Sequence, residues 1–286
     1  MSGSERKRPR SRTLRRFYRN PLSLLGLFLV VVLTLTAVLA PFLAPKDPTT
    51  QSLFDKRAKP FGKFILGADQ FGRDILSRLI YGARVSLFVA FFSVAIALSG
   101  GLIIGTLCGY FEGALDTLLM RVMDLLLSFP YLLLAIALVS ALGPGLLNTT
   151  VAIGFWALPT FARMVRASVL GLKKREFITA ASALGAPAWR IILLHIVPNF
   201  VAPLVVYATL FMANAIMMEA ALSFLGLGVQ PPTPSWGEMI SSGRNALMVA
   251  PHVATIPGLA IMLAVLGFNL LGDGLRDALD PKMKVP

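Results

Sequence analysis

Residues 85–107 read VSLFVAFFSVAIALSGGLIIGTL, a stretch without a single charged side chain. A helix needs about 20 apolar residues to cross the hydrocarbon core of a bilayer, and this stretch meets that length. Five further apolar stretches occupy residues 22–44, 125–142, 146–161, 200–227 and 253–271. The fourth of the six, residues 146–161, is the shortest and contains Pro159. The sequence therefore predicts an all-α integral membrane protein with six transmembrane helices.

The composition supports a membrane protein and argues against a soluble domain. Of the 286 residues 56% are hydrophobic and 14% are charged, whereas soluble domains carry about 25% charged residues. The first apolar stretch is longer than the 7–15 residues or so of a signal-peptide core, so we interpret it as a retained anchor. The single cysteine, Cys108, excludes an intramolecular disulfide.

The basic residues near the N-terminus predict how the chain is oriented. Cytoplasmic segments of membrane proteins are enriched in Lys and Arg, which places both termini of a six-helix chain in the cytoplasm. A basic arm next to a span also contacts anionic lipids of the bilayer, and no nucleic-acid-binding motif follows it, so no nucleic acid is expected as a partner. The arm contains Arg6, Lys7, Arg8, Arg10, Arg12, Arg15, Arg16 and Arg19.

These features divide the chain into five predicted segments. A basic cytoplasmic arm (1–20) precedes the first transmembrane helix (21–45) and an extracytoplasmic loop (46–83). A transmembrane domain follows over 84–273, and a cytoplasmic tail over 274–286.

The most informative stretch lies between the fourth and fifth predicted spans. Residues 173–199 read KKREFITAASALGAPAWRIILLHIVPN. Phe177, Ala180, Ala181 and Leu184 recur at helical spacing and predict an apolar stripe on a short helix. Gly185 and Pro187 then end that helix, and a second one leads back to the membrane at Pro198. The sequence predicts a cytoplasmic helix–turn–helix element. The alternative is an ordinary amphipathic loop that lies on the bilayer.

This element resembles the EAA loop of ABC importer permeases, with Ala180, Ala181, Gly185 and Pro198 in register. Thr179 stands where that motif has Glu, and Arg190 belongs to the same loop. In the family this loop docks on an ATPase subunit. The resemblance therefore implies a coupling loop at about 173–199.

Three further stretches resemble the dipeptide/oligopeptide/nickel branch of the same permeases. They are LGADQFGRDILSRLIYGAR (66–84), MEAALSFLGLG (218–228) and PSWG (234–237). The first contains Asp69, Gly72, Arg73 and Asp74, with Ala68 in place of the usual Thr. The order of the motifs is that of the "C" member of a B/C permease pair.

The resemblance implies a type I ABC importer transmembrane domain and a set of partners. These are a homologous second permease, one or two ATPase subunits that bind ATP and Mg, and an extracytoplasmic substrate-binding protein. The implied function is import of dipeptides or oligopeptides across the cytoplasmic membrane of a prokaryote. Nickel and glutathione stay open as alternative substrates.

Polar residues within the fifth apolar stretch are candidates for the path or for packing. A carboxylate in a span must face the bundle interior, water or a hydrogen-bonding partner. Glu219 therefore either lines the translocation path or links two helices, and Ser223, one turn further on, is its nearest candidate partner. Asn214 is a polar link between helices or part of the path.

The chain contains no motif for catalysis of its own. A phosphate-binding loop needs Gly, four residues, then Gly-Lys-Ser/Thr, and the only Gly-Lys pair, Gly62-Lys63, is followed by Phe64. His195 and His252 fall on opposite predicted sides of the membrane. We expect a non-catalytic subunit without metal or cofactor. An intramembrane enzyme is disfavoured because no HExxH or GxSG-type motif is present, and a passive channel is the other alternative.

Overall fold

The computed structural model describes residues 17–279, so most of the predicted basic arm and residues 280–286 of the predicted tail lie outside it. Over the described residues the chain forms helices and no strand, with one isolated bridge between Ala68 and Asp74. The main helices are α1 (Pro21–Val38), α2 (Ile75–Phe111), α3 (Gly113–Ser128), α4 (Tyr131–Leu142), α5 (Leu146–Lys173), α6 (Glu176–Ala183), α7 (Val197–Phe224), α8 (Trp236–Gly243) and α9 (His252–Leu279). Short helical turns occupy Ala40–Leu43, Leu53–Asp55, Ala188–Ile191, Ile192–Ile196 and Arg244–Ala246.

The helix α2 begins well before the apolar stretch from which it was predicted. Asp74 caps its N-terminus, since its Oδ2 atom accepts a hydrogen bond of 2.8 Å from the backbone N–H of Ser77. Residues 75–83, the last part of the predicted extracytoplasmic loop, are thus already helical. The loop that remains, residues 44–74, is called the N-terminal loop below.

The third predicted span is interrupted. The helices α3 and α4 are bent by 98° relative to each other, at Phe129 and Pro130. Proline has no backbone N–H and disfavours the helical conformation of the residue before it, and Phe129 is accordingly extended with a ψ of 138°. The predicted helix over 125–142 is thus two helices.

When the helices of the structure are counted by their length and apolar composition, fewer than the six predicted spans are found. Four of the described helices are long and apolar enough to cross a membrane, namely α1, α2, the segment Ala188–Phe224 that ends in α7, and α9. The bent pair α3–α4 gives a fifth if it counts as one span. The helix predicted over 146–161 extends to Lys173 with Pro159 inside it. It carries buried Thr149 and Thr150, so it is less apolar than the others.

A row of glycines brings α2 and α5 into close contact. A Cβ atom at Gly101 would lie 2.5 Å from Phe161 Cβ, and one at Gly105 would lie 2.5 Å from Ala162 O. Small residues at this spacing let two helix backbones approach each other within a membrane. These glycines therefore let α2 and α5 pack backbone against backbone.

The other helices surround this pair. The helix α1 packs on α9, and α7 packs on both α9 and α2. One buried apolar cluster includes Ile75 and Trp236 near the N-terminal loop. A second includes Phe161 and Ile196 and lies beside the segment between α5 and α7. That segment, residues 174–196, is called the central loop below.

Candidate functional site

The central loop contains the helix, turn and second helical segment that its sequence predicts. Its helix α6 ends at Ala183, and Gly185, two residues further on, has a φ of +78°, the left-handed conformation that favours glycine. Gly185 N–H donates to Ser182 O at 3.0 Å, and Ala186 N–H donates to Ala181 O at 3.1 Å. These bonds satisfy carbonyl groups that the helix end leaves free.

Few contacts hold α6 against the rest of the chain. Ile178 is its only buried residue, and it joins the second apolar cluster together with Ile191 and Ile196. In contrast, Leu184 is 88% exposed and Trp189 is 63% exposed. The predicted apolar stripe therefore lies largely on the outside of the chain.

The residues matched to the EAA motif are mostly accessible. Thr179 and Ala180 are exposed and Ala181 is half-buried. Nothing in the chain lies within 4 Å of a Cβ atom built on Gly185. Arg190 is exposed, and Pro198 is exposed in the first turn of α7. The motif thus presents small side chains and open backbone to its surroundings.

The N-terminal loop is organised differently, around buried ion pairs. Asp69 Oδ2 accepts a hydrogen bond of 2.6 Å from Arg73 Nε and lies 3.7 Å from Arg78 Nε. Arg78 Nη2 in turn donates to Glu238 Oε2 at 2.6 Å. All four residues are buried. This network joins the loop, α2 and α8, and it is called the ion-pair network below.

The shape of the N-terminal loop depends on Gly72, one of the motif residues that the sequence analysis singled out. Its φ is +74°, and a Cβ atom at this position would overlap the carbonyl group of Ser52. The predicted residues Asp69, Gly72, Arg73 and Asp74 therefore lie together as a folded unit. The structure adds Arg78 and Glu238, which sequence reasoning did not single out as site residues.

The PSWG motif fixes α8 to its neighbours. Ser235 Oγ caps α8 by accepting from Glu238 N–H at 3.1 Å. The indole Nε1 of buried Trp236 donates to Leu79 O on α2 at 3.0 Å. A Cβ atom on Gly237 would lie 2.6 Å from Ala220 Cα, so α8 also packs closely on α7.

Glu219 is completely buried where α7 meets α2. Ser223 Oγ donates to its Oε1 atom at 2.8 Å, and Ser86 Oγ of α2 donates to its Oε2 atom at 3.2 Å. Ser223 Oγ also lies 3.3 Å from Val229 N–H. The carboxyl group thus links two helices through hydroxyl groups. Asn214, by comparison, is exposed on α7.

Residues 101–285 match the family model described as "Binding-protein-dependent transport system inner membrane component". Residues 9–60 match the model described as "N-terminal TM domain of oligopeptide transport permease C".

The chain belongs to this family of transport permeases.

Several curated relatives resemble the permease over most of its length. The di/tripeptide transport system permease protein DppC of Pseudomonas aeruginosa is 46% identical over 94% of this chain and 90% of its own. The dipeptide transport system permease protein DppC of Alkalihalophilus pseudofirmus is 47% identical over 93% and 88%. The glutathione transport system permease protein GsiD of Pectobacterium atrosepticum is 44% identical over 94% and 90%. The permease is thus a multi-pass inner-membrane protein and a non-catalytic component of its transport system.

A solved structure shows the same fold. A chain of the MetNI methionine ABC transporter, in an inward-facing conformation, matches with a TM-score of 0.60 and 20% identity. The match covers 72% of the permease and 98% of that chain. The predicted type I ABC importer fold is confirmed.

Two cavities of the permease differ in their chemistry. One, of about 430 Å³, lies between α3 and α5, and there Arg166 makes two hydrogen bonds of 2.5 and 2.6 Å to Asp116. The other, of about 490 Å³, lies between α4, α5 and α7, and its lining includes Tyr131, Trp156 and Asn214. It is called the aromatic cavity below.

Proposed function

We propose that the permease forms half of an ATP-driven importer for short peptides. The observation that carries the proposal is the identity of 46–47% to dipeptide permeases over about nine-tenths of both chains. Glutathione, which is named for a relative of 44% identity, is itself a short peptide. Both groups of relatives therefore support a peptide substrate.

The central loop supports a second element of the proposal, a docking surface for an ATPase subunit. Exposed Leu184 and Trp189 and the half-exposed Phe177 form an apolar surface beside the basic residues 173–175. An exposed apolar surface in water is a common mark of a protein–protein contact. Small residues at 180 and 181 permit close approach of a partner. In this proposal Thr179, Ala180, Ala181, Gly185, Arg190 and Pro198 belong to the coupling loop.

The complete transporter then requires further chains and one orientation. ATP and Mg bind to the ATPase subunits, a second permease completes the path, and an extracytoplasmic binding protein delivers the peptide. The basic arm and the central loop face the cytoplasm, since Lys and Arg concentrate on that side. The N-terminal loop faces the opposite side.

Uptake by the complete complex in proteoliposomes tests the substrate. We expect uptake of a radiolabelled dipeptide that depends on ATP hydrolysis and is competed by unlabelled peptides. Glutathione and Ni²⁺ are measured in parallel. Uptake of Ni²⁺ but no peptide, or peptide uptake that persists with hydrolysis-deficient ATPases, contradicts the proposal.

The substitution Leu184→Asp tests the docking surface. Leu184 makes few contacts within the chain, so the variant should reach the membrane at the normal level. It should lose ATPase co-purification or peptide uptake, because a charge in an apolar contact is left without a partner. Ala181→Glu is a less specific probe, since Ala181 packs partly against the second apolar cluster.

Met248→Asp is the matched control for Leu184→Asp. Met248 is 98% exposed between α8 and α9, and we expect normal ATPase binding and uptake. Normal coupling in Leu184→Asp, or equal losses in both variants, would count against the docking surface.

A further inference from the structure

The aromatic cavity contains a polar group at a depth where lipid cannot satisfy it. Asn214 lies well inside α7, in the segment that is apolar enough to span the membrane, and its side chain is exposed. An amide transferred into hydrocarbon without a hydrogen-bond partner is strongly unfavourable. This face of α7 therefore contacts water or another polar molecule rather than lipid tails.

The wall around Asn214 is built of aromatic rings. Tyr131 of α4 lies 5.6 Å from Trp156 of α5, and Trp156 lies 5.2 Å from Phe211 of α7, as measured between ring centroids. Tyr207 continues the row at 6.3 Å from Phe211. Rings at these separations pack against each other favourably. They form a continuous surface that three helices hold in place.

The cavity has the size and the lining of a site for a small molecule. Its volume of about 490 Å³ falls within the roughly 300–1,000 Å³ of ligand sites, which combine apolar walls with a few polar groups. Among the residues that the structure describes, none that lines it is charged. The cavity between α3 and α5, by contrast, is lined by Asp116, Asp124 and three arginines.

Glu219 does not contribute a charge to the aromatic cavity. Although it lies near Asn214 in sequence, it is completely buried and bonded to Ser86 and Ser223. Its side chain is thus directed into the contact between α2 and α7. The polar groups that α7 presents to the cavity are the exposed amide of Asn214 and the hydroxyl group of Tyr207.

We propose that the aromatic cavity forms the part of the peptide path that this chain contributes. In this proposal Asn214 contacts the passing peptide. An amide side chain both donates and accepts hydrogen bonds, so it can pair with the backbone of a peptide of any sequence. The aromatic rings contact apolar side chains of the peptide. Because the lining is uncharged, it does not discriminate between peptides of different net charge. This inference rests on the proposed peptide import.

The substitution Asn214→Asp tests the inference through charge selection. Uptake of a cationic dipeptide, Lys-Lys, and an anionic one, Glu-Glu, is measured with the complete complex in proteoliposomes. We expect Asn214→Asp to raise the Lys-Lys/Glu-Glu uptake ratio by about threefold or more, because a carboxylate in a partly desolvated site attracts cations and repels anions. An unchanged ratio overturns the inference.

Asn269→Asp is the matched control. Asn269 is also an exposed asparagine within a spanning helix, α9, and it does not line the aromatic cavity. We expect the uptake ratio of this variant to equal that of the unsubstituted permease. An equal change in both variants would show a general electrostatic effect and would overturn the assignment to Asn214.

A chemical measurement keeps the inference testable if Asn214→Asp fails to assemble. In a Cys108→Ala background, Asn214→Cys is treated with cationic and anionic water-soluble methanethiosulfonates in the complete complex. We expect labelling that peptide slows, and the anionic adduct should shift the uptake ratio as Asn214→Asp does. No labelling in the complex, as expected if lipid or the second permease covers Asn214, overturns the inference.

The two proposals fail in different ways. If the unsubstituted permease imports neither dipeptide, peptide import itself is wrong. If it imports both and the Asn214 variants leave the ratio unchanged, peptide import stands and the assignment of the wall is wrong.

Discussion

The N-terminal loop and the central loop both carry sequence motifs, but they use them in opposite ways. In the N-terminal loop the charged residues are buried and bonded to each other, as in Arg78 and Glu238. In the central loop the apolar residues are exposed, as in Leu184 and Trp189. Each loop thus places its residues where that chemical type is ordinarily not found.

This difference indicates a structural role for the N-terminal loop and agrees with the partner contact proposed for the central loop. Buried ions are costly unless they are paired and hydrogen-bonded, so the ion-pair network is complete within this chain and holds the N-terminal loop, α2 and α8 together. The exposed side chains of Leu184 and Trp189 bury little of their surface within this chain. In the proposed function, an ATPase subunit covers the surface that they form.

The largest expected effect is that of Arg78→Ala. Removal of one partner leaves Glu238 as a buried unpaired charge, and breaking such a pair costs about 3–5 kcal/mol. The thermal midpoint of the purified permease should fall clearly. Because the contact surface lies elsewhere, Leu184→Asp should leave that midpoint nearly unchanged.

The double variant Arg78→Met/Glu238→Leu is the control for this prediction. Replacing a whole buried ion pair by apolar residues is often close to neutral, so the double variant should be more stable than either single variant. A midpoint unchanged in Arg78→Ala would mean that the network does not hold the loop.

A matched pair of glycine substitutions also compares the two loops. Its expected effect on the thermal midpoint is smaller than that of Arg78→Ala. Gly72 and Gly185 have φ values of +74° and +78°, so alanine at either position costs about 1–2 kcal/mol in the left-handed conformation. At Gly72 the new Cβ atom would also overlap Ser52, whereas at Gly185 it meets nothing within 4 Å. Gly72→Ala should therefore lower the thermal midpoint more than Gly185→Ala.

Gly185→Ala also reports on the docking surface. Since the added methyl group meets nothing in this chain, a loss of uptake that exceeds its small loss of stability must arise at a partner. Equal loss of stability in both glycine variants would contradict the difference in packing between the loops.

The smallest effect concerns an ion pair in the N-terminal loop between exposed Lys63 and half-buried Asp55. Hydrogen bonds from Lys63 and Ser52 hold the pKa of Asp55 below its usual value. A lowered folded-state pKa stabilises the fold at pH values above the unfolded-state pKa, about 3.9. That contribution is lost as the pH falls through the folded-state pKa.

The difference in thermal midpoint between the unsubstituted permease and Asp55→Asn should therefore shrink as the pH falls below about 4. It should be small at every pH, because solvent screens exposed pairs. A difference as large as that of Arg78→Ala would show that burial does not distinguish the two kinds of pair.

Local patterns in the sequence predicted the apolar helices and the helical turn of the central loop. The start of α2 was missed because residues 75–84 include Arg78 and Arg84, which are unfavourable in lipid. Arg78 is tolerated because it is enclosed by protein and paired. The break at Pro130 was readable from the proline, but the apolar pattern on both sides of it concealed the bend.

The sequence by itself determined that this chain is a membrane-embedded permease, because apolar length and motif spacing are local properties. It also determined that a helix lies between the fourth and fifth apolar stretches. Only the tertiary structure decided that Arg78 pairs with Glu238, since the two are 160 positions apart in the chain. The same holds for Asn214, whose exposure beside an aromatic wall depends on three helices that meet only in the folded protein.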